Sequence, residues 1–379
     1  MIITDEHEVL RRTIREFAEK EIKPVAHELD ENEEFSVELT QKMGDMGLFG
    51  VVAPEKYGGQ GLDYLSYIIC VEELARIDSS QAATIAAHNS LGIGPLIYFG
   101  TDEQKEKYIP QLCTGRALWS FGLTEADAGS DSRGSKTKAD LINGEWVING
   151  SKMFITNAST SISLGTTVQL LTDNTDGKKE FSTILVEAKT PGFESRKMKK
   201  KLMWRASDTS ELFFDDCKVP ENNILGTRGE GSKIMLGTLD NGRLSIAAMG
   251  LGLAQGAYEM ALKYAQKRKQ FGKAISKFQV NSFKLADMAL KIELARNLLY
   301  KTCWLKDNSK PFRKEAAMSK LYCSEIAKQV ADEAVQLHGG YGLMKEYDVE
   351  RFYRDQRLLQ IGEGTSEILR LVISRAIGC

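Results

Sequence analysis

The sequence is poor in the side chains that build metal centres and disulfide frameworks. Only four histidines occur in 379 residues, and the six cysteines are never closer together than twenty positions. Because a zinc or iron site needs several Cys or His ligands at close spacing, no metal site is expected. The scattered cysteines are interpreted as reduced thiols of a cytosolic protein.

A large excess of one charge and long apolar runs are also missing. Fifty basic residues stand against 52 acidic ones, for a formal net charge of −2, which argues against nucleic acid or an anionic membrane as the main partner. The sequence has no run of 18 apolar residues, the length that a membrane-spanning helix needs, and the opening "MIITDEHEVLRR" lacks the charged-then-apolar pattern of a signal peptide. We expect a cytoplasmic location in a bacterium, with the mitochondrial matrix as the alternative.

The first of three regions along the chain, 1–117, has the apolar spacing of α-helices. Thr4 is placed to cap the first helix, and Thr101 with Gln104 has the sequence pattern of a capping box. Pro24 is expected near the end of the first helix, because proline lacks a backbone donor and clashes with the preceding turn. The region is therefore predicted to be a helical domain.

The second region, 118–228, has the composition of β structure. Two Asn-Gly pairs, at 143–144 and 149–150, are flanked by alternating residues. Asn-Gly suits a type I′ turn because both central residues of that turn adopt positive φ. The segments 181–188 and 210–220 are also typical of strands. We therefore expect a β domain built around hairpins.

The third region, 229–379, returns to helical periodicity with longer elements. Helical patterns cover 252–273, 278–305 and 315–339, and glycine-rich breaks such as 362–364 interrupt them. Helices of more than about twenty residues in a globular chain usually pack as a bundle. The predicted fold class is mainly α with a β domain in the middle, and clefts between domains are the expected places for a site.

Several segments have side chains suited to a polar or phosphorylated ligand. The loop 121–134 is rich in Gly, Ser, Thr and Asp, and 152–159 places polar groups beside Phe154. The basic cluster at 266–279 is either a solvated face or a phosphate clamp, since guanidinium binds phosphate in bidentate fashion. The glycine-rich segment 336–342 does not follow a predicted strand, which excludes a Rossmann fingerprint.

Taken together and in this order, six motifs resemble those of the acyl-CoA dehydrogenase family of flavoenzymes, and the resemblance covers essentially the whole chain. They are "LTEADAGSD" (123–131), "FITNAS" (154–159), "RKQFGK" (268–273), "QLHGGYG" (336–342), "YRD" (353–355) and "EGTSEI" (363–368). The resemblance implies an N-terminal helical domain, a middle β-barrel and a C-terminal four-helix bundle, with FAD as the cofactor.

The resemblance also assigns cofactor contacts by motif position. The cofactor-binding residues that it implies are Leu123, Thr124, Gly129, Ser130, Phe154, Thr156, Arg268, Gln270, Phe271, Gln279, Gln336, Gly340, Thr365 and Glu367. The first six would lie at the flavin ring, where many relatives have Trp in place of Phe154, and those from Arg268 to Gly340 at the diphosphate and adenosine end. Because some of these contacts come from a neighbouring subunit in the family, a homo-oligomer is expected, commonly a tetramer.

Glu363 matches the catalytic base of the family. A thioester α-C–H is a very weak acid, so the base needs a hydrogen-bonded substrate carbonyl, a hydride acceptor and an environment from which water is expelled. Burial would raise the pKa of the carboxyl group, and flanking glycines would allow close approach. An exposed loop glutamate is the ordinary alternative. The resemblance further implies that substrate is bound by Ser130, Asp240, Arg243 and Gly364, and that Arg375 supports the site.

Two positions distinguish this chain from some relatives. Certain family members carry the base next to an arginine on the first long C-terminal helix, but here Gly242 precedes Arg243, which favours Glu363. Several straight-chain enzymes have Tyr where this chain has Gly362. A wider pocket beside the base is therefore expected, suited to a branched, cyclic or otherwise bulky acyl group of short to medium length.

The predicted reaction is α,β-dehydrogenation of a saturated acyl-CoA to the trans-2-enoyl-CoA, with electrons passed to an electron-transfer flavoprotein. A basic run at 196–204 departs from relatives that have acidic residues at the presumed acceptor face, and it leaves the acceptor open. The alternatives are an acyl-CoA oxidase or another flavin enzyme on the same fold, and a non-catalytic binding or assembly subunit.

Overall fold

Seven helices form the N-terminal part of the chain in the computed structural model, which describes residues 3–175 and 178–379. They are α1 (Asp5–Phe17), α2 (Lys23–Asn32), α3 (Val37–Asp45), α4 (Tyr64–Ala75), α5 (Ser79–Ala87), α6 (Gly94–Phe99) and α7 (Asp102–Leu112). Two π-helical segments, Ala18–Ile22 and His88–Ile93, connect α1 to α2 and α5 to α6. The first region is helical, as predicted.

The ends of these helices confirm the predicted caps and correct one prediction. Thr4 accepts a hydrogen bond from the His7 backbone N–H. Thr101 accepts one from the Gln104 backbone N–H, and the Gln104 side chain accepts one from the Thr101 backbone N–H. The expectation that Pro24 ends the first helix was wrong. Pro24 lies in the first turn of α2, directly after the π-helical segment, where a missing N–H costs nothing.

The middle of the chain forms a single eight-stranded sheet. Its strands are β1 (Leu118–Gly122), β2 (Lys138–Ile142), β3 (Glu145–Thr156), β4 (Ser163–Thr175), β5 (Lys178–Glu187), β6 (Phe193–Lys197), β7 (Thr209–Pro220) and β8 (Ile224–Leu225). The order across the sheet is β6-β7-β3-β2-β4-β5-β8, and β1 pairs in parallel with β4. Trp146, Ile148 and Leu212 are buried in the separate core of this domain.

The two Asn-Gly pairs have different structures. Asn143 and Gly144 have φ values of 51° and 81° and close the β2–β3 hairpin, which confirms the first predicted turn. The second predicted turn was wrong, because Asn149 and Gly150 lie inside β3 at a register shift against β7. Gly150 adopts φ 135° there, and an added Cβ would lie 2.7 Å from the Thr137 side chain, so the pair forms an irregularity within a strand.

Five helices complete the chain. They are α8 (Gly231–Lys267), α9 (Gln279–Asp307), α10 (Arg313–His338), α11 (Val349–Asp355) and α12 (Ser366–Ala376). The predicted helix over 252–273 stops at Lys267, and a short hairpin of β9 (Lys269–Gln270) and β10 (Lys273–Ala274) follows. At the tip of this hairpin Phe271 and Gly272 have φ values of 50° and 80° and form a two-residue turn, at a place where the sequence had predicted a helix.

The long helix α8 is the centre of the molecule. It packs against α9 and α10 of its own domain and against α4 of the N-terminal domain. One hydrophobic core runs through all of these helices, with Ile68, Leu251 and Ala327 fully buried in it. The predicted order of a helical domain, a β domain and a second helical domain is thus confirmed. None of the helices in the described ranges is both long and apolar enough to cross a lipid bilayer.

Candidate active site

Glu363 lies in a tight turn between a 3-10 segment, Gln356–Gln360, and α12. Its own backbone is left-handed, with φ 53°, and Gly364 follows with φ 98°. The left-handed conformation costs a non-glycine residue roughly 1–2 kcal/mol, so the surrounding packing must hold it in place. Thr365 then caps α12 by accepting a hydrogen bond from the Ile368 N–H. The turn directs the glutamate side chain towards α8.

The carboxylate of Glu363 is buried against a glycine. A Cβ added to Gly242 on α8 would lie 1.9 Å from Oε2 of Glu363 and 3.0 Å from Cδ2 of Leu91. Oε2 is buried and has no hydrogen-bond donor within residues 3–175 and 178–379. Burial raises the pKa of Glu363 to about 7, although the positive charges of Lys320 and Arg243 act in the opposite direction. A carboxylate with this pKa is suited to act as a base near neutral pH.

Asp240 and Arg243 lie within one helical turn of Gly242. They form an ion pair with each other, and Nε of Arg313 lies 3.5 Å from Oδ2 of Asp240. Burial lowers the pKa of Arg243 and raises that of Asp240. Nε of Arg243 is buried without an acceptor among the residues that the structure describes. Such an unpaired donor beside Glu363 is available to a polar ligand.

Sequence reasoning missed Lys320, which completes this cluster. The side chain is fully buried on α10, and its Nζ donates to the carbonyl oxygen of Gly364 at 2.6 Å. Burial lowers the pKa of Lys320 to about 7. A signal was present, because Lys320 shares a helical stripe with the buried residues Ala316, Cys323 and Ala327. A lysine in an apolar stripe marks a buried cation.

A second group of predicted residues lies where β1 and β3 meet. Leu123 and Thr124 follow β1, and the Thr124 carbonyl accepts a hydrogen bond of 2.8 Å from the Met153 N–H. Nζ of the fully buried Lys152 donates to the Leu123 carbonyl at 3.2 Å and to Glu125 at 2.8 Å. These hydrogen bonds attach the loop that follows β1 to the edge of the sheet. Gly129 and Ser130 are exposed further along the same loop.

Phe154 presents an unusual flat apolar surface at this edge. Its backbone is left-handed, with φ 63°, and its side chain is 58% exposed although β3 is otherwise half-buried. Thr156 ends the strand two residues later, and the buried Asn157 leaves its Oδ1 without a donor among the described residues. An exposed aromatic ring on a strained backbone, three residues before an unpaired polar atom, fits a planar heteroaromatic ligand such as a flavin ring.

The third group gathers around the hairpin after α8. Arg268, Gln270, Gln336 and Gly340 line one cavity of about 480 Å³, and the Arg268 guanidinium lies 5.8 Å from the ring centre of Tyr341. Near this cavity Phe271, at the hairpin tip, is 93% exposed, and Gln279 is exposed at the start of α9. A guanidinium with two amides and an open glycine loop fits a diphosphate and a nucleoside.

The predicted residues of α12 are placed in three different ways. Thr365 uses its hydroxyl oxygen as the helix cap. Glu367 is exposed in the first turn, and helix-end and Thr365 hydrogen bonds lower its pKa. Arg375 is exposed in the last turn. Its supporting role therefore stays a prediction. No group of three His, Cys, Asp or Glu residues with metal-binding geometry occurs in the described part of the chain.

Comparison with known proteins agrees with this geometry. Three domain families match the chain: the acyl-CoA dehydrogenase N-terminal domain over residues 4–116, the middle domain over 120–217 and the C-terminal domain over 229–378. A probable acyl-CoA dehydrogenase of Bacillus subtilis is 48% identical over 375 residues, which are 99% of this chain and 98% of that protein.

Two further relatives carry more specific names. A subunit of the caffeyl-CoA reductase–Etf complex of Acetobacterium woodii is 42% identical, over 99% of this chain and 98% of that protein. The solved structure of butyryl-CoA dehydrogenase from Megasphaera elsdenii superposes with a TM-score of 0.96 at 42% identity, over 99% of this chain and 98% of that one. Solved relatives of the same fold hold FAD or its reduced form. The chain therefore belongs to the acyl-CoA dehydrogenase family and is an FAD-dependent enzyme.

Proposed function

We propose that this enzyme dehydrogenates a short-chain acyl-CoA to the trans-2-enoyl-CoA, with Glu363 as the base. Glu363 takes the α-proton, and the electron pair of the broken C–H bond forms the second carbon–carbon bond. FAD, when bound, supplies the acceptor for the hydride that leaves the β-carbon. The charge that develops on the thioester oxygen needs a donor, and the backbone N–H groups of the 363–364 turn are suited to supply it.

One observation carries this proposal: Oε2 of Glu363 is buried and without a hydrogen-bond donor in the described chain. A buried carboxylate without a donor keeps its full basicity, and a hydrogen-bonded one does not. Gly242 and Leu91 enclose it on the α8 side, so a bound thioester would remove the remaining water. Arg243, which has an unpaired Nε, and Asp240 are placed to hold the polar chain of the substrate.

The short-chain assignment rests on the butyryl-CoA dehydrogenase relative, and the space at Gly362 bears on branching of the acyl group. A Cβ added to Gly362 would have ordinary contacts, the nearest being Leu358 at 3.6 Å. The position therefore accepts a Cβ without a clash, and the absence of a side chain there leaves volume beside the base. We propose that this volume accepts branching at the acyl group.

We further propose that a second copy of the chain completes the FAD site. Gly242, beside Glu363, lies on α8, and Arg268 directly follows the last residue of that helix. The 26 positions that separate them span about 39 Å at 1.5 Å per residue. That separation exceeds the length of an extended FAD molecule. One cofactor therefore reaches both the group at Glu363 and the group at Arg268 only if the two come from different copies, which supports the expected homo-oligomer.

The proposed acceptor is an electron-transfer flavoprotein, and the named Etf complex of a relative supports it. The basic run at 196–204 does not count against it. Nζ of Lys201 donates to the carbonyls of Trp204 and Ser207 at 2.9 and 2.6 Å, and Nζ of Lys197 donates to the carbonyl of Glu33. Since two of its charges hold the backbone in place, the run is in part structural.

The test is anaerobic mixing of the yellow holoenzyme with butyryl-CoA, which should bleach the flavin absorbance. Glu363→Gln should keep its FAD and bleach at least about 10²-fold more slowly, the usual cost of removing a general base. Undiminished bleaching in this variant would mean that another group is the base. Rapid return of colour in air would identify an oxidase, and no bleaching with any CoA ester would favour a non-catalytic subunit.

A further inference from the structure

Lys320 is the buried cation that the proposed reaction leaves without a role. Two lysines, Lys152 and Lys320, are among the largest fully buried side chains of the protein. Lys152 is neutralised by Glu125 at 2.8 Å. The only hydrogen bond that Lys320 makes in the described part of the chain is to the carbonyl of Gly364, and no carboxylate there lies within ion-pair distance of it.

A buried ammonium with one carbonyl partner is costly, because it loses most of its hydration. The negative charge of Glu363, which directly precedes Gly364, offsets part of this cost by attracting the ammonium group of Lys320. Conversely, the first positive charge acting on the Glu363 carboxylate is Lys320, and Arg243 is the second. Its hydrogen bond to the carbonyl oxygen of Gly364 holds the ammonium group one residue from Glu363, and it is bonded to the backbone and not to the carboxylate.

We propose that Lys320 is a positioning residue for Glu363, which holds the strained turn through the Gly364 carbonyl and supplies the positive charge that keeps the buried carboxylate ionised. The proposal rests on the role given to Glu363 above. Because Lys320 donates to the backbone and not to the carboxylate, it stabilises the charged form without occupying the oxygen that takes the α-proton. Direct donation to Oε2 would weaken the base.

Other charged and titratable groups face this pair from each packed element, and they set the background of the test. They are Arg243 and Asp240 on α8, Arg313 at the start of α10, Glu367 on α12, and Tyr64 and Tyr67 on α4. Arg243 is already paired with Asp240, and burial raises the pKa of both tyrosines. Lys320 is therefore the one cation of this group that faces Glu363 and has no ion-pair partner among the described residues.

The test compares Lys320→Met with the unchanged holoenzyme in the pH dependence of flavin reduction by butyryl-CoA. Loss of the charge raises the pKa of Glu363, so the acid limb of the profile should move up by ~1 unit, within the range for a single nearby charge. Reduction at pH 6, where Lys320 carries its charge, should then fall on the order of 10-fold, and the two enzymes should converge at high pH. Lys328→Met, an exposed position on the same helix, should leave the profile unchanged.

Two conservative variants separate the charge from the hydrogen bond. Lys320→Gln keeps an N–H donor without the charge and should show the same displacement of the acid limb. This variant also replaces Lys320→Met in the test if the methionine variant does not fold. Lys320→Arg keeps the charge and should return the limb towards that of the unchanged enzyme. An unmoved acid limb in both uncharged variants would overturn the proposal, since a merely structural lysine would lower the rate equally at every pH.

A measurement without turnover distinguishes failure of this proposal from failure of the proposed function. The melting temperatures of the Lys320→Met, Glu363→Gln and double variants, each as holoenzyme, form a double-mutant cycle. If Lys320 acts on Glu363, the two changes are non-additive even when Glu363→Gln retains activity and another residue proves to be the base. Additive changes would contradict the interaction of Lys320 with Glu363, whatever the identity of the base.

Discussion

Glu363 and Gly242 are in direct contact: Oε2 of the glutamate occupies the space that a side chain at position 242 would need. A Cβ on Gly242 would come to 1.9 Å from that oxygen, closer than non-bonded heavy atoms approach each other. The absence of a side chain on α8 is therefore a condition for burying the carboxylate. The same contact explains why a base at 363 and a side chain at 242 exclude each other in this structure.

Gly242→Ala should displace the carboxylate and slow flavin reduction. Because the added methyl group overlaps Oε2 and also lies 3.0 Å from Leu91, Glu363 must move out of its buried position. We expect bleaching by butyryl-CoA to slow by about 10-fold or more, because a displaced base loses part of the roughly 10²–10⁴-fold that general base catalysis supplies. FAD content, measured by absorbance, should be retained.

Gly237→Ala is the matched control for this change. Gly237 lies on the same helix, is exposed, and has no described atom within 4 Å of an added Cβ. Alanine there should leave the rate unchanged and stabilise slightly, because alanine favours the helix by up to about 1 kcal/mol over glycine. Equal rates for the two alanine variants would contradict the contact between Gly242 and Glu363.

The pKa of Glu363 predicts how stability changes with pH. In the folded protein the pKa is raised from 4.5 to about 7, so the folded state keeps a proton that the unfolded state releases. Stability is therefore lost as pH rises from about 4.5 to 7, by an amount that approaches about 3 kcal/mol for a shift of this size. Glutamine cannot ionise and escapes this loss.

Glu363→Gln should accordingly gain in melting temperature over the unchanged holoenzyme as pH rises from 5 to 8, by a few degrees for a chain of this length. Thermal unfolding followed by circular dichroism at several pH values measures the difference. The exposed Glu346→Gln should show no such trend. A constant difference between Glu363→Gln and the unchanged protein across this range would mean that the carboxylate is not held in a water-poor site.

Local signals in the sequence predicted the parts of the fold that local chemistry determines. The caps at Thr4 and Thr101 and the turn at Asn143 and Gly144 were found because each depends on residues at most three apart. The prediction that a helix ends near Pro24 was wrong because proline is tolerated in the first turn of a helix. The π-helical segment before Pro24 also has no local sequence signal.

The site was predictable in its parts but not in its assembly. The motifs pointed to Glu363 and to Arg243, yet the contact with Gly242 joins positions 121 residues apart and depends on how α8 meets the last turn. Lys320 was missed because an isolated lysine in a helix is usually solvated, and only the packing of α10 shows that it is buried. Long-range packing of this kind has no local pattern.

Arg268→Ala should weaken FAD binding without unfolding the chain. Arg268 lines the cavity near the α8 end, and its exposed guanidinium is the strongest phosphate ligand in that group. A charged hydrogen bond contributes about 1.5–3 kcal/mol, so FAD affinity should fall on the order of 10- to 100-fold. Fluorescence titration of the apoprotein with FAD measures this, and the exposed Lys301→Ala on α9, outside the basic cluster, should bind FAD normally. Unchanged affinity in Arg268→Ala would remove this cavity from the cofactor site.

Gly362→Tyr should narrow the acyl pocket and favour straight chains. The φ angle of Gly362 lies outside the left-handed region, and the nearest atom to an added Cβ is 3.6 Å away on Leu358, so the backbone accepts a side chain without strain. A ring beside the base would then exclude a branched acyl group and still leave room for butyryl-CoA to react. The ratio of kcat/KM for butyryl-CoA to that for isobutyryl-CoA should rise about 10-fold, which corresponds to about 1.4 kcal/mol of discrimination. Gly362→Ala, which adds one methyl group and no ring, should change this ratio little. An unchanged ratio in Gly362→Tyr would show that the space next to Glu363 does not set acyl specificity.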